Sequence, residues 1–285
     1  WNPLMVCIRG PVSGSQVSLV QRKIEDAIRN ENANFICIVI DSPGGSPDDS
    51  MNLANMLADL DSAKIRTVAY IQKEARGDAA LIALGCDQIV MNANATIGGP
   101  GAADLSDKEE VQLIAESIRN HLAPKKSRSW SVPAALIDAE RKVFRYQHQG
   151  DGRTAYYTTE EVETLPDAKE WQQGDALTKG RGPLKLLGTQ AQDVGLARHL
   201  AGDFHAFKQV YGLEQDPKLI EPGWADYLID RLASPGVGWL LLLVVLAALY
   251  AEVQAPGIGV GGFVAGVCFL LFFWNRFFEG TAGWL

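Results

Sequence analysis

The sequence predicts an α/β domain with a mainly parallel sheet, followed by a transmembrane helical hairpin. Three observations carry this expectation. Strand-like and helix-like apolar patterns alternate through residues 1–100. One run, Phe35-Ile36-Cys37-Ile38-Val39-Ile40, is unbroken, as in a strand buried on both faces. Charge then almost vanishes near the end, where residues 237–275 hold one acid, Glu252, and no Lys or Arg.

The elements follow in order. Leu4-Met5-Val6-Cys7-Ile8 reads as a buried strand closed by Gly10-Pro11. Val17, Val20, Ile24, Ala27 and Ile28 recur at helical spacing. The Phe35–Ile40 strand leads into a loop, Asp41-Ser42-Pro43-Gly44-Gly45-Ser46. Pro47 sits where a helix begins, with Asp48 and Asp49 in its first turn, where the helix dipole favours acids. Leu53, Ala54, Leu57 and Leu60 give that helix its apolar face. Thr67–Ile71 reads as a third strand, Ala79–Gly85 as a short buried helix and Gln88–Met91 as a fourth strand. Such alternation implies right-handed crossovers and parallel pairing. Residues 107–123 form an amphipathic helix through Val111, Ile114, Ala115 and Ile118, and residues 133–143 form another element. The polar stretch 145–187 reads as a hairpin, a flexible arm or an insertion. Order returns over Thr189–Ala197, with Gly195-Leu196-Ala197 entering a last strand.

Residues 1–235 thus form the soluble domain and residues 236–285 the membrane region, with spans at about 237–254 and 257–275. Trp239, Tyr250 and Trp274 lie near the run ends, where interfacial aromatics sit. Ala255-Pro256-Gly257-Ile258-Gly259 is a turn by composition. Upstream, Trp224, Tyr227, Leu228, Arg231 and Leu232 recur at helical spacing, which suits an interfacial helix or an ordinary surface helix. Glu252 lies close enough to the turn to reach the interface. Arg231 and Arg276 fall on one side of such a hairpin, so charge does not assign its orientation. Trp1 at the start and Gly283-Trp284-Leu285 at the end read as the edges of a piece of something longer, truncated within its membrane region.

Composition narrows the function. The 285 residues carry a formal net charge of -8, which argues against nucleic-acid binding. Cys7, Cys37, Cys86 and Cys268 have no CxxC spacing and read as buried free thiols. No HExxH, P-loop or dinucleotide fingerprint occurs, so neither a metal nor a cofactor is expected.

Three pieces in order then carry a resemblance. Asp41-Ser42-Pro43-Gly44-Gly45 follows one buried strand, Glu74-Ala75-Arg76-Gly77-Asp78-Ala79-Ala80 follows the next, and Ala95-Thr96-Ile97-Gly98-Gly99 follows the fourth. Together they resemble the ClpP/crotonase superfamily. The similarity is greatest to its membrane-bound NfeD branch, the stomatin operon partner proteins, with signal peptide peptidase A as a cousin. Residues 4–123 and 189–200 resemble the protease-like domain, and Ala255–Gly262 with its flanking runs resembles the start of the NfeD membrane region. The resemblance implies a stomatin- or flotillin-like (SPFH) partner, homo-oligomers in the lipid of a bacterial-type cell membrane, and a soluble domain outside the cytoplasm.

It also implies site positions. Gly44 and Gly45 match a loop whose N–H groups form an oxyanion hole in active members. The serine nucleophile of the family stands ten positions before the segment beginning at Asp87, and that position here is Gly77. No serine occurs from Ala63 to Thr96, and the adjacent Asp78 is a poor substitute for an activated alkoxide. The family's lysine base aligns near Glu109, which makes Lys108 the base candidate, against the alternative of a solvated surface lysine. His121 has no serine to activate, and His148, His199 and His205 lie in polar stretches and read as surface residues.

The leading expectation is a membrane-anchored, catalytically decayed NfeD-type protein acting as a scaffold. One alternative is an active serine-type peptidase whose nucleophile lies outside this segment. Another is a crotonase-type acyl-CoA enzyme, disfavoured by the membrane hairpin and by the lack of a convincing pocket acid beyond Asp78 and Glu74.

Overall fold

Parallel pairing organises the first half of the chain. In the computed structural model, β1 (Pro3–Arg9), β2 (Phe35–Ser42) and β3 (Arg66–Ala75) lie side by side. Helix α1 (Gly14–Asn30) crosses from β1 to β2, and α2 (Pro47–Asp59) from β2 to β3. Ser13 and Ser46 cap these helices through their hydroxyls. The structure describes residues 1–103, 105, 107–180, 182–214, 216–220, 235–254 and 260–278. The chain divides into two compact units, residues 1–221 and 222–285.

The unbroken apolar run of β2 has a direct cause. Ile36, Ile38 and Ile40 enter the main core under the crossover helices, whereas Phe35, Cys37 and Val39 enter a second cluster on the opposite face. That second face is covered by α9 (Phe204–Tyr211), whose Phe207 is fully buried against Phe35 and Tyr70.

Strand β3 runs four residues beyond its expected end at Ile71 because it changes partner. Its first half pairs with β4 (Gln88–Met91), and its second half, at Glu74 and Ala75, with β5 (Thr96–Gly98). The buried helix α3 (Ala79–Gly85) fills the connection. The principal sheet has the order β10-β4-β3-β2-β1-β11, with β10 at His199–Leu200 and β11 at Lys218–Ile220. Helix α4 (Lys108–Ser117) continues through a π turn, Ile118–Leu122, into α5 (Ala123–Lys125), so the single expected helix over 107–123 is interrupted by a π segment. Residues Ser131–Ala135 form α6.

The described part of the polar stretch 145–187 carries regular secondary structure. It holds most of a three-stranded antiparallel sheet of β6 (Phe144–His148), β7 (Thr154–Tyr157) and β8 (Trp171–Ala176), in the order β7-β6-β8. Tyr146, Val162 of α7 (Thr159–Glu163) and Trp171 form its small core. The chain then returns to the main sheet as β9 (Lys185–Leu187), antiparallel to β5, and continues into α8 (Gly188–Asp193).

In the second unit, helices Pro235–Gln254 and Val260–Phe278 pack on each other. Val245 and Ala265 are buried, while Leu240, Leu243, Phe263, Phe269 and Leu270 are exposed. The expected turn at 255–259 and the expected interfacial helix around Trp224 lie outside the described residues. Among the described residues no helix is long and apolar enough to cross a membrane.

Candidate functional site

The site lies where β2 and β3 end, the edge of a parallel sheet at which ligands ordinarily bind. Ser42 closes β2 and opens the Pro43-Gly44-Gly45 loop. Ala75 closes β3, and Arg76-Gly77-Asp78 turns the chain into α3. The Arg76 N–H donates to the Ser42 carbonyl at 3.0 Å, which ties the two strand ends together.

Gly77 has φ +51, a left-handed conformation that favours glycine. Its backbone also touches another. A Cβ at Gly77 would sit 2.9 Å from Gly101 Cα, and a Cβ at Gly101 would sit 2.7 Å from both Gly77 Cα and the Pro43 carbonyl oxygen. The Gly77 N–H donates to the Gly99 carbonyl at 3.1 Å, and the Ala102 N–H to the Pro43 carbonyl at 2.6 Å. The segment after β5 therefore lies directly on the position that the resemblance assigns to a nucleophile.

The loop amides are also taken. The Gly44 N–H donates to Ser42 Oγ at 3.1 Å. The Gly45 N–H donates to both carboxylate oxygens of Asp78, at 2.9 and 3.1 Å. The Ser50 hydroxyl donates to Asp78 Oδ2 at 2.6 Å. Asp78 is fully buried and makes no ion pair among the described residues. Its carboxylate takes the Gly45 amide that an oxyanion hole has to keep free for the transition state. Gly44, at φ +90, could not accept a side chain, since a Cβ there would lie 2.4 Å from Asp78 Oδ1.

The other expected participants are engaged elsewhere. Lys108 opens α4 and is exposed, with Nζ 2.7 Å from Glu140 Oε1. The hydrogen bond that it donates to Glu140 holds its pKa above the ordinary lysine value, which favours the ammonium form over a base. Glu109 is exposed, and Glu74 is ion-paired with Arg76 at 2.8 Å. His121 faces Asp59 at 3.4 Å, His199 stacks edge-on to Tyr211 and His205 meets Gln209.

His148 departs from the expected surface position. It is buried at the end of β6, edge-on to Trp171, with ring nitrogens 2.9 Å from Asp151, 3.4 Å from Asp167 and 3.1 Å from Glu170. Polar sequence surroundings hid it because its neighbours are acids that face its ring. The four cysteines are free; Cys7, Cys37 and Cys86 are buried and Cys268 is half-buried. Burial pushes the Cys86 thiol up to about 12 and Cys37 well above its usual range, so neither is a poised nucleophile. Among the described residues no group of His, Cys, Asp or Glu is placed to hold a metal ion.

A glycine loop at the end of one parallel strand, set against a glycine turn at the end of the next, gives a ClpP-like α/β fold with a mainly parallel sheet. Comparison with known proteins takes this further. Residues 4–165 match the model of the NfeD1b N-terminal domain, and residues 236–285 match the NfeD integral membrane domain. The chain belongs to the NfeD family of membrane proteins. It is 26% identical over 270 residues to membrane protein NfeD1b of Bacillus subtilis (strain 168), covering 94% of this chain and 54% of that one. It thus spans about half the length of the curated relative it matches.

Two solved structures share the fold. One is 1510-N from Pyrococcus horikoshii, a membrane protease specific for a stomatin homolog. It is 19% identical with a TM-score of 0.52, over 82% of this chain and 100% of that one. A lysine-to-alanine mutant of the 1510-N protease in complex with a substrate peptide is 18% identical with a TM-score of 0.54, over 81% of this chain and 96% of that one.

Proposed function

We propose that this chain is a membrane-anchored NfeD-type protein that keeps the protease-like scaffold but does not cleave, and that it serves as a scaffold or partner for a stomatin- or flotillin-like membrane protein. The observation that carries this reading is the closure around Gly77. A glycine stands at the position that the resemblance assigns to the nucleophile, the Gly101 backbone lies against it, and Asp78 holds the Gly45 amide. Peptide hydrolysis needs a nucleophile and a free oxyanion site, and this arrangement offers neither.

The partner class is drawn from the similar fold of 1510-N, which acts on a stomatin homolog. The membrane anchor is drawn from the matched integral membrane domain and from exposed apolar side chains such as Leu240, Leu243, Phe263 and Leu270. In this reading residues 236–285 form a helical hairpin in lipid, the soluble domain lies outside the cytoplasm, and copies of the chain assemble in the membrane. Labelling of the full chain in nanodiscs with a serine-directed fluorophosphonate probe tests the central point. No labelled peptide is expected. A specific label that maps to one serine, in this chain or in a co-purified one, would overturn the reading in favour of an active peptidase.

A further inference from the structure

A cavity of about 520 Å³ lies away from the Gly77 closure, between the start of β4, the segment Lys126–Ser129, the end of α8 and strand β7. Its charges leave a remainder. Lys126 is buried and pairs with Asp87, with Nζ 2.7 Å from Oδ1. Asp87 also accepts from the Ser62 hydroxyl at 2.6 Å and the Thr67 N–H at 2.8 Å, so its oxygens are committed. Arg198 and Asp193, of opposite charge, are both exposed at the lining. Arg128 is left over. Its Nη2 donates to the carbonyls of Cys86 at 2.6 Å and Asp87 at 3.2 Å, and no carboxylate forms an ion pair with it among the described residues. Burial lowers its pKa from the usual guanidinium value, with Cys86 and Asp87 opposing. Its guanidinium is half-buried and borders the cavity, and its planar donors suit a carboxylate.

The opposite wall is a free strand edge. All four residues of β7 line the cavity, and β7 pairs only with β6 in its sheet. The His148 N–H donates to the Arg153 carbonyl at 2.9 Å, which sets the phase of the ladder. In the register Tyr146↔Ala155 and Phe144↔Tyr157, those pairs carry the hydrogen bonds. Thr154 and Tyr156 therefore direct their N–H and C=O groups to the outer edge. An unpaired edge beside a half-buried arginine suits strand addition with chain-end capture.

We propose that this cavity binds the C-terminal end of an extended peptide, which adds as a strand to β7 and sets its terminal carboxylate on Arg128. The site is separate from the Gly77 closure and stands whether or not the chain cleaves. The test uses the full chain in nanodiscs and a fluorescein-labelled hexapeptide of alternating Thr and Val with a free C-terminus, beside the same peptide as its C-terminal amide. Fluorescence anisotropy should show the acid binding at least about tenfold tighter than the amide. Arg128→Gln should abolish that difference. Thr154→Pro removes one edge donor without touching Arg128, at a strand start where proline is tolerated, and should weaken the acid several-fold. The proposal is overturned if acid and amide bind alike, if neither binds, if Thr154→Pro leaves acid binding unchanged, or if acetate displaces the peptide as well as unlabelled peptide does. Should Arg128→Gln fail to fold, the acid–amide comparison on the unaltered chain decides.

Discussion

Replacing Asp78 by alanine removes the acceptor that closes the glycine loop. Two donors lose their partner, the Gly45 N–H at 2.9 Å and the Ser50 hydroxyl at 2.6 Å. Hydrogen bonds to a charged group contribute about 1.5–3 kcal/mol each, so the gross loss is about 3–6 kcal/mol. Relief of the buried carboxylate's desolvation offsets part of it. The net expectation is about 3 kcal/mol, at the low end of that range. Asparagine separates the two effects. Its amide oxygen can accept from Gly45 while its NH₂ group donates to Ser50 Oγ, so both contacts survive without the charge. Asp78→Asn should therefore cost about 2 kcal/mol less than Asp78→Ala. Urea unfolding of the two variants, followed by the fluorescence of Trp130 and Trp171 in one fixed detergent, reads the difference as a shift in midpoint at constant slope. Equal losses for the two variants, or a loss under about 1 kcal/mol for alanine, would refute the assignment of Asp78 as the acceptor that holds the loop.

Other expectations follow from the same structure. Gly101→Ala would place a Cβ 2.7 Å from Gly77 Cα and from the Pro43 carbonyl, both backbone atoms, and should lower stability by about 1–3 kcal/mol in a thermal melt. Asp87 is driven upward by burial, but hydrogen bonds from Lys126, Ser62 and the Thr67 N–H outweigh this and hold its carboxyl below the usual range. A depressed folded pKa means that the unfolded chain takes up the proton first. Its contribution is complete above about pH 4, the unfolded value, and is lost as pH falls through the lower folded value. Asp87→Asn should flatten that acid limb of the stability curve. Phe207→Ala opens the second core face beneath Phe35 and Tyr70 and should cost about 3–5 kcal/mol in urea unfolding.

The parallel core was readable in the sequence because its strands are buried on both faces. Phe35 to Ile40 admits no polar residue, since alternate side chains enter two different cores. The second half of β3 was not readable. Gln72, Lys73 and Glu74 are polar and lie past the expected strand end at Ile71, yet they continue the strand as its partner changes from β4 to β5. The three-stranded sheet was hidden for a related reason. Its buried core is Tyr146, Val162 and Trp171, and about half of its strand residues are exposed.

At the site, the glycines were legible and their partners were not. Gly44, Gly45 and Gly77 stand out by their order along the chain. That Asp78 turns inward to the Gly45 amide, and that Gly101 seals Gly77, depends on contacts between segments more than 20 residues apart. A local signal for the seal existed in Gly98-Gly99-Pro100-Gly101, where so many glycines mark close backbone approach. Arg128 had no such signal, because its isolation in the cavity follows from Lys126 claiming Asp87.

The most direct test of the central claim is peptide hydrolysis by the purified full chain, run beside Gly77→Ser in the same nanodiscs. The closed geometry predicts no turnover by either protein. In the variant, a serine side chain would have to adopt φ +51 against the Gly101 backbone while Asp78 still holds the Gly45 amide. Hydrolysis by the unaltered chain would contradict the account and move the nucleophile elsewhere. Activity in Gly77→Ser alone would show that only the nucleophile had been lost and that the closure around it opens.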